Sequence, residues 1–108
     1  MSQGKIISSR KTVVFTAEPG INYDSAWPLG YQSGIVIGEI NCVGTFTAGE
    51  TVTVGTLSVP PIGTTDIILT DGNGIPAGIF RIWGNGVCWA IMNTTTNAIK
   101  AHISYLAA

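Results

Sequence analysis

The amino-acid sequence predicts an all-β fold, either a compact antiparallel β-barrel or a jelly-roll sandwich. Strand-forming segments recur at short intervals and are separated by glycine and proline, as in small β-sandwiches and barrels. Threonine, glycine and β-branched residues dominate, and no window has apolar residues spaced as on one face of a helix. The length of 108 residues suits one domain whose core needs neither disulfide bonds nor metal ions.

The order of elements begins with a polar N-terminal arm, residues 1–11, and continues as a single domain over residues 12–108. The segment Ile21–Gly34 is predicted to be a long loop between the first two strands. The predicted strands lie near Thr12–Thr16, Ile35–Val43, Thr51–Leu57, Thr65–Thr70, Ile79–Trp83, Val87–Met92 and Ala98–Leu106.

Two of these strands indicate which side chains point into the core and which point outward. In the last strand apolar and polar residues alternate, which predicts one buried face and one face toward solvent or a partner. The strand from Ile35 to Val43 has apolar residues on both faces, although Glu39 and Asn41 mark the outer face as the wetter one. An outer face of this kind is expected to be covered, and another chain could cover it.

The composition narrows the class of partner. Charged residues make up 10% of the chain, against about 25% in ordinary soluble domains. The surface is therefore either rich in uncharged polar residues or partly covered by other subunits. The formal net charge of -1 provides no basic field for phosphates, so nucleic acid is not expected as a partner.

The sequence also bounds the cellular setting. No apolar run has the roughly 18 residues of a membrane span, so membrane insertion is not expected. The segment MSQGKIISSRK lacks the apolar core of a signal peptide, which predicts synthesis in the cytoplasm of the producing cell without a signal peptide. Cys42 and Cys88 are expected to be reduced and buried. With one histidine and two separated cysteines, no metal site or cofactor is predicted.

The segment RIWGNGVCWAIM, from Arg81 to Met92, reads as a hairpin because Asn-Gly between β-prone runs favours a tight turn. A two-residue turn at Asn85–Gly86 would place Ile82 opposite Trp89 on the core face. It would leave Arg81 and Trp83 on the outer face. A three-residue turn would put Arg81 beside Trp89, and we disfavour it because that register would mix charge into the core face. Arg81 and Trp83 then form a surface cation–π pair, part of a subunit interface, or a ligand contact.

The predicted loop contains Tyr23, Asp24, Trp27 and Tyr31. Aromatic rings beside hydrogen-bonding groups suit a sugar, because the C–H face of a pyranose can stack on an aromatic ring. They equally suit a loop that plugs the end of a barrel, and long ordered loops are often functional. His102 faces outward on the last strand and is either a solvated residue or part of the same surface.

Sites for catalysis are not evident in the sequence, and the protein is not predicted to be an enzyme. The segment DGNGIP, Asp71 to Pro76, has two of the oxygen ligands of a calcium loop but lacks the next ones, so a turn is predicted. The carboxylates have no spacing that would pair two of them across a glycosidic bond. Nucleophile elbows and phosphate-binding loops are absent from the sequence.

Four segments, in order, carry a resemblance to a known family: INCVGTF, AGETVTVGTLSVPP, RIWGNGVCWAI and the terminal HISYLAA. From about Ile40 onward they resemble the head domain of phage receptor-binding proteins, the tail-tip adhesins of siphophages that infect lactic acid bacteria and related hosts. The resemblance implies a compact barrel or jelly roll that assembles as a homotrimer. Each single motif is weak, and the order of the four carries the resemblance.

The resemblance implies a virion protein of the tail tip or baseplate that binds host cell-wall polysaccharide without catalysis and contacts other tail or baseplate proteins. The alternatives are a structural virion protein that binds no glycan and a monomeric carbohydrate-binding module. No sugar-contacting residue transfers by motif, because the family holds its sugars in variable loops. The facing and loop arguments alone therefore give the predicted saccharide-binding residues: Trp83, Arg81, Trp27, Tyr31, Tyr23, Asp24 and His102.

Overall fold

A computed structural model describes residues 11–24 and 28–108, and over these ranges the chain is all-β and forms a nearly closed antiparallel barrel. This confirms the predicted fold class. Residues 1–10 of the predicted arm lie outside the described residues. The strands are β1 (Lys11–Thr12), β2 (Phe15–Ala17), β3 (Asn22–Asp24), β4 (Gly30–Gln32), β5 (Ile35–Phe46), β6 (Thr51–Leu57), β7 (Thr65–Asp71), β8 (Pro76–Ile82), β9 (Val87–Met92) and β10 (Thr96–Leu106).

The sheet follows the order β1-β4-β5-β10-β7-β8-β9-β6-β2, and β3 also pairs with β5. Its two ends meet through the first strand segment of the chain. β1 pairs with β4, β2 pairs with β6, and between them the Ser58 N–H donates to the Val14 carbonyl over 2.9 Å. Near-closure of this kind shortens the free strand edges that would otherwise pair with other chains.

Two predictions about the first third of the chain are wrong. The first strand is not continuous, because it leaves β4 and joins β6 at the seam of the barrel. The expected loop Ile21–Gly34 contains β3 and β4, which pair with opposite ends of β5. Three-residue strands carry too little alternation to be recognised in a sequence, and these two depend on the long β5 for their hydrogen bonds.

The core lies inside the barrel and is apolar throughout. Its largest fully buried side chains include Phe46, Phe80, Ile40, Leu69, Ile82, Ile99, Val36 and Val54. β10 alternates as predicted, with Ile99, Ile103 and Tyr105 buried and His102 exposed. The Tyr105 hydroxyl donates to the Val59 carbonyl, which ties the C-terminal strand to the segment after β6.

One glycine shows how closely the seam is packed. Gly55 on β6 is buried and lies against β2, where a Cβ atom would overlap the Phe15 ring and lie 2.5 Å from the Thr16 carbonyl oxygen. Phe15 can therefore pack this closely against β6 only because residue 55 has no side chain. The sequence pattern TVTVGTL indicated a strand but did not indicate this contact.

The hairpin between β8 and β9 corrects the predicted register. Arg81 pairs with Trp89 and Ile82 with Cys88, so the loop has three residues, Gly84 to Gly86. Gly86 has a φ of 91°, and the Trp83 N–H donates to the Val87 carbonyl over 2.8 Å. This is the three-residue hairpin loop in which a left-handed glycine forms the bulge.

The correction moves Trp89 from the core to the outer face. Phe80, Ile82, Cys88 and Ala90 are each 0% exposed, and they pair large against small across the two strands. The interior of a small barrel is filled by such alternation. Arg81 and Trp89 therefore face each other on the outside, and no charge enters the core. Trp83 and Arg81 lie on the outer face, as predicted.

The two cysteines are free and buried, as predicted. Burial raises the pKa of both thiols from 9.0 to about 12. The neutral thiols therefore stabilise the fold fully below pH 9.0, and this contribution is lost as the pH rises through about 12.

We expect both thiols to resist alkylation at pH 8 in the native protein, because the reactive thiolate is scarce and the sulfur atoms are inaccessible. Two labels per chain should appear only after unfolding. The measurement is intact mass after iodoacetamide treatment with and without denaturant. Rapid labelling of either native thiol would contradict the buried placement.

Candidate functional site

The outer face of β6 to β9 carries a continuous row of side chains. Asp66 on β7 pairs with Arg81 on β8, Arg81 pairs with Trp89 on β9, and Trp89 pairs with Thr53 on β6. Neighbouring strands lie about 4.8 Å apart, so the row spans about 14 Å. We call these four residues together with Trp83 the Trp83–Trp89 surface.

The two tryptophans form an angled pair at one end of this surface. Their ring centroids are 4.8 Å apart and the ring planes meet at 72°, an edge-to-face arrangement that aromatic pairs favour. Beside them lies a depression of about 540 Å³ lined by Trp83, Gly84, Asn85, Val87 and Trp89. The hairpin turn and the two indole rings thus form apolar walls of different orientation.

The turn is held in place by its own hydrogen bonds. The Asn85 side-chain oxygen accepts the Val87 N–H over 3.1 Å, and the Gly86 N–H donates to the Trp83 carbonyl over 2.8 Å. The Gly86 carbonyl in turn accepts the Leu57 N–H over 2.8 Å. The wall of the depression is therefore fixed both to β8 and to the end of β6.

Arg81 and Asp66 form a two-pronged ion pair next to the tryptophans. Arg81 Nε donates to Asp66 Oδ1 over 2.8 Å and Nη2 donates to Oδ2 over 3.0 Å. The hydrogen bond from Arg81 lowers the pKa of the Asp66 carboxyl below its ordinary value. The guanidinium carbon also lies 5.4 Å from the centroid of the Trp83 ring, within the range of a cation–π contact.

The indole N–H of Trp83 on this surface has no hydrogen-bond acceptor among the described residues, although its Nε1 atom is buried. Buried indole N–H groups usually have a partner. The surface thus contains a donor that the described protein groups leave unused.

Two other predicted site residues lie on a neighbouring part of the outer face. Asp24 on β3 and Lys100 on β10 both pair with Asn41 on β5. In the adjacent row, His102 Nδ1 lies 3.3 Å from Glu39 Oε2. β7 separates His102 from Arg81 in the sheet, so Asp24 and His102 do not join the Trp83–Trp89 surface.

The remaining predicted residues are aromatic. Tyr23 is half-buried and its ring packs on Phe15 with centroids 4.9 Å apart, so it belongs to the wall of the core. Tyr31 is also half-buried against the core. Trp27 lies outside the described residues.

The sequence reasoning missed Trp89, Asp66 and Thr53. The two-residue turn places Trp89 in the core, and Gly84, as a further turn-forming residue beside Asn85 and Gly86, is the signal for the longer turn. Asp66 and Thr53 lie on other strands, and their pairing with Arg81 and Trp89 depends on strand order. A single sequence does not establish that order.

The segment Asp71 to Pro76 is predicted to contain a turn, and the structure confirms a turn between β7 and β8. The Asp71 Oδ1 atom accepts the N–H groups of Asn73 and Ile75 over 2.8 and 3.0 Å. Within residues 11–24 and 28–108, no three His, Cys, Asp or Glu side chains are grouped so as to hold a metal ion. Over the same ranges the chain has no helix of the length and apolarity needed to cross a membrane.

Comparison with known proteins found no matching family model, no matching curated protein and no matching solved structure. The resemblance to phage receptor-binding heads therefore stays a prediction, and the geometry of the surface is the basis for a functional proposal.

Proposed function

We propose that the protein is a non-catalytic saccharide-binding domain, and that it binds host cell-wall polysaccharide as the head of a phage tail adhesin. The observation that carries the proposal is the Trp83–Trp89 pair on the outer face, beside the Asp66–Arg81 ion pair. Both tryptophans lie outside the core and are partly exposed, and the apolar area that stays in contact with water contributes no burial free energy. A ligand that covers them accounts for this placement.

The chemistry of the surface suits a pyranose ring. The apolar walls can contact the C–H groups of the ring, while carboxylate, guanidinium and hydroxyl groups can bond its hydroxyls. Binding sites for small molecules typically combine apolar walls with a few polar groups that fix orientation. Trp83 provides an apolar wall, and Arg81 on β8 and Asp66 on the neighbouring β7 provide the polar groups.

The proposal includes no catalysis, in keeping with the function expected from the sequence. Glycoside hydrolysis normally requires two carboxyl groups on either side of the scissile bond. At the Trp83–Trp89 surface the described residues contribute one carboxylate, Asp66, and both of its oxygens accept hydrogen bonds from Arg81. A carboxylate held in this way is poorly suited to transfer a proton.

The experiment that tests this function is equilibrium binding of the fluorescent-labelled protein to cell-wall polysaccharide isolated from a panel of lactic acid bacteria and related hosts. We expect saturable binding to the polysaccharide of a subset of strains, with intact polysaccharide after incubation. Absence of binding across the panel would contradict the adhesin proposal. Shortening of the polysaccharide would contradict the absence of catalysis.

A second candidate function, a structural tail protein that binds no glycan, is favoured by a separate apolar patch. Ile35 and Leu106 pair across β5 and β10, and Ile37 and Ile62 complete what we call the Ile35–Leu106 patch. Leu106 is 61% exposed and Ile37 is 50% exposed. The Ile62 N–H donates to the Leu106 carbonyl over 2.9 Å, which brings Ile62 to the same end of the barrel.

Self-association through the Ile35–Leu106 patch is part of the proposal, since the family resemblance implies a homotrimer. We expect light scattering to give three times the chain mass for the unmodified protein, and the mass of one chain for the double variant Ile37→Glu/Leu106→Glu. The matched control is Ile75→Glu, because Ile75 is 59% exposed but lies in the turn between β7 and β8. It should remain a trimer.

The combination of mass and binding separates the candidates. A trimer that binds polysaccharide supports the adhesin, and a trimer that binds none supports the structural tail protein. A monomer that binds polysaccharide supports a free-standing carbohydrate-binding module. A monomeric unmodified protein contradicts the proposed self-association.

A further inference from the structure

The Trp83–Trp89 surface lies in a part of the barrel that is almost free of charge. Strands β6 to β9 contain three charged residues, Asp66, Asp71 and Arg81. Asp71 uses its Oδ1 atom within its own turn, where it accepts two backbone N–H groups. The charges at the surface itself are thus one carboxylate and one guanidinium, and they face each other.

The ion pair cancels the field that either group would exert on a ligand. Both hydrogen bonds between Arg81 and Asp66 are short, and the two side chains are 32% and 46% exposed. Beyond β7, His102 Nδ1 lies 3.3 Å from Glu39 Oε2, and Lys100 lies on β10, two strands away from Arg81.

The Asp66–Arg81 ion pair still offers unused hydrogen-bonding groups to a ligand. A guanidinium has five N–H donors and a carboxylate has about four lone-pair positions. Arg81 uses two donors on Asp66, and Asp66 accepts these two bonds. Unused donor and acceptor positions therefore lie side by side at the ion pair. Adjacent sugar hydroxyls can use both, because each hydroxyl can donate and accept a hydrogen bond.

An anionic ligand has no comparable position. To reach Arg81 it must displace Asp66 or lie beside it, and like charges placed together in a binding site are strongly unfavourable. The indole walls provide no compensating charge. An uncharged sugar ring can bind without breaking the ion pair. It also carries no formal charge that would have to be dehydrated.

We infer that the Trp83–Trp89 surface selects uncharged saccharide units and rejects uronates and phosphate-bearing sugars, with the Asp66–Arg81 pair as the determinant of this specificity. The inference rests on the proposed function, because it specifies the class of saccharide bound at the same surface.

The test uses the full chain and a panel of uncharged hexose and N-acetylhexosamine oligomers, each paired with the same oligomer oxidised to the carboxylate at C6. We expect each uncharged oligomer that binds to do so about tenfold more tightly than its carboxylate counterpart. The variant Asp66→Asn leaves Arg81 uncompensated, so this preference should fall at least threefold. Raised salt should restore part of it, since exposed charges are screened.

The control is Glu50→Gln, which makes the same change in net charge at an exposed residue in the turn before β6 and should leave the preference unchanged. Equal or tighter binding of the carboxylate oligomers by the unmodified protein would overturn the inference and leave the proposed function standing. An unchanged preference in folded Asp66→Asn would also overturn it. Binding of neither class would overturn the proposed function and the inference together.

Discussion

Replacing Trp89 by alanine is expected to weaken polysaccharide binding about tenfold and to leave the barrel folded. Trp89 lies on the outer face between Arg81 and Thr53, so its removal opens no cavity in the core. Loss of an aromatic contact of about 1.5 kcal/mol corresponds to about a tenfold rise in Kd. Trp83→Ala should have a similar effect, because each indole supports the other in the edge-to-face pair.

The measurement is the Kd for the wall polysaccharide, with thermal unfolding recorded for each variant. Ile75→Ala is the matched control, since it removes an exposed apolar side chain at the opposite end of β8. Its Kd should equal that of the unmodified protein. Unchanged binding by folded Trp83→Ala and Trp89→Ala would exclude this surface as the saccharide site.

Gly86→Ala is expected to destabilise the protein by more than about 2 kcal/mol, whereas Gly84→Ala in the same turn should have little effect. Gly86 has a φ of 91°, a conformation unfavourable for residues with a Cβ atom. A Cβ there would also lie 2.5 Å from the Leu57 carbonyl oxygen. At Gly84 a Cβ would meet nothing within 4 Å.

Thermal unfolding of the two variants measures the difference. For a chain of this size, about 2 kcal/mol corresponds to a fall in Tm of about 8 °C or more. The comparison tests the left-handed conformation of Gly86 and its close approach to Leu57, since Gly84 has neither feature. Equal Tm values for Gly84→Ala and Gly86→Ala would contradict the observed hairpin.

The sequence predicts the central strands well because their side chains alternate over many residues. β6 and β9 have the predicted bounds, and the facing of β10 is as expected. Sequence reasoning failed where the determining contact is remote. β3 and β4 are strands only because β5 lies beside them, and the first strand divides because it closes the barrel between β4 and β6.

The site was predicted only in part for a related physical reason. Alternation placed Trp83 and Arg81 on the outer face, but one residue of turn length decides the face of Trp89. The preference for an apolar core favoured burying the indole, whereas the barrel interior is filled by Phe80 and Ile82 against Cys88 and Ala90. The partner of Arg81, Asp66, comes from another strand, and the tyrosines of the predicted loop pack against the core.

The indole N–H signals of the protein report on the glycan-binding role that we propose for the Trp83–Trp89 surface. The chain has three tryptophans, so a ¹⁵N-labelled sample gives three such signals in an NMR spectrum. Each can be assigned by a single Trp→Phe variant. The sample is titrated with an oligosaccharide released from the wall polysaccharide of a strain that the protein binds. We expect saturable shifts of the Trp83 and Trp89 signals at the same Kd. Shifts confined to the Trp27 signal, or saturable binding that moves neither Trp83 nor Trp89, would contradict this role.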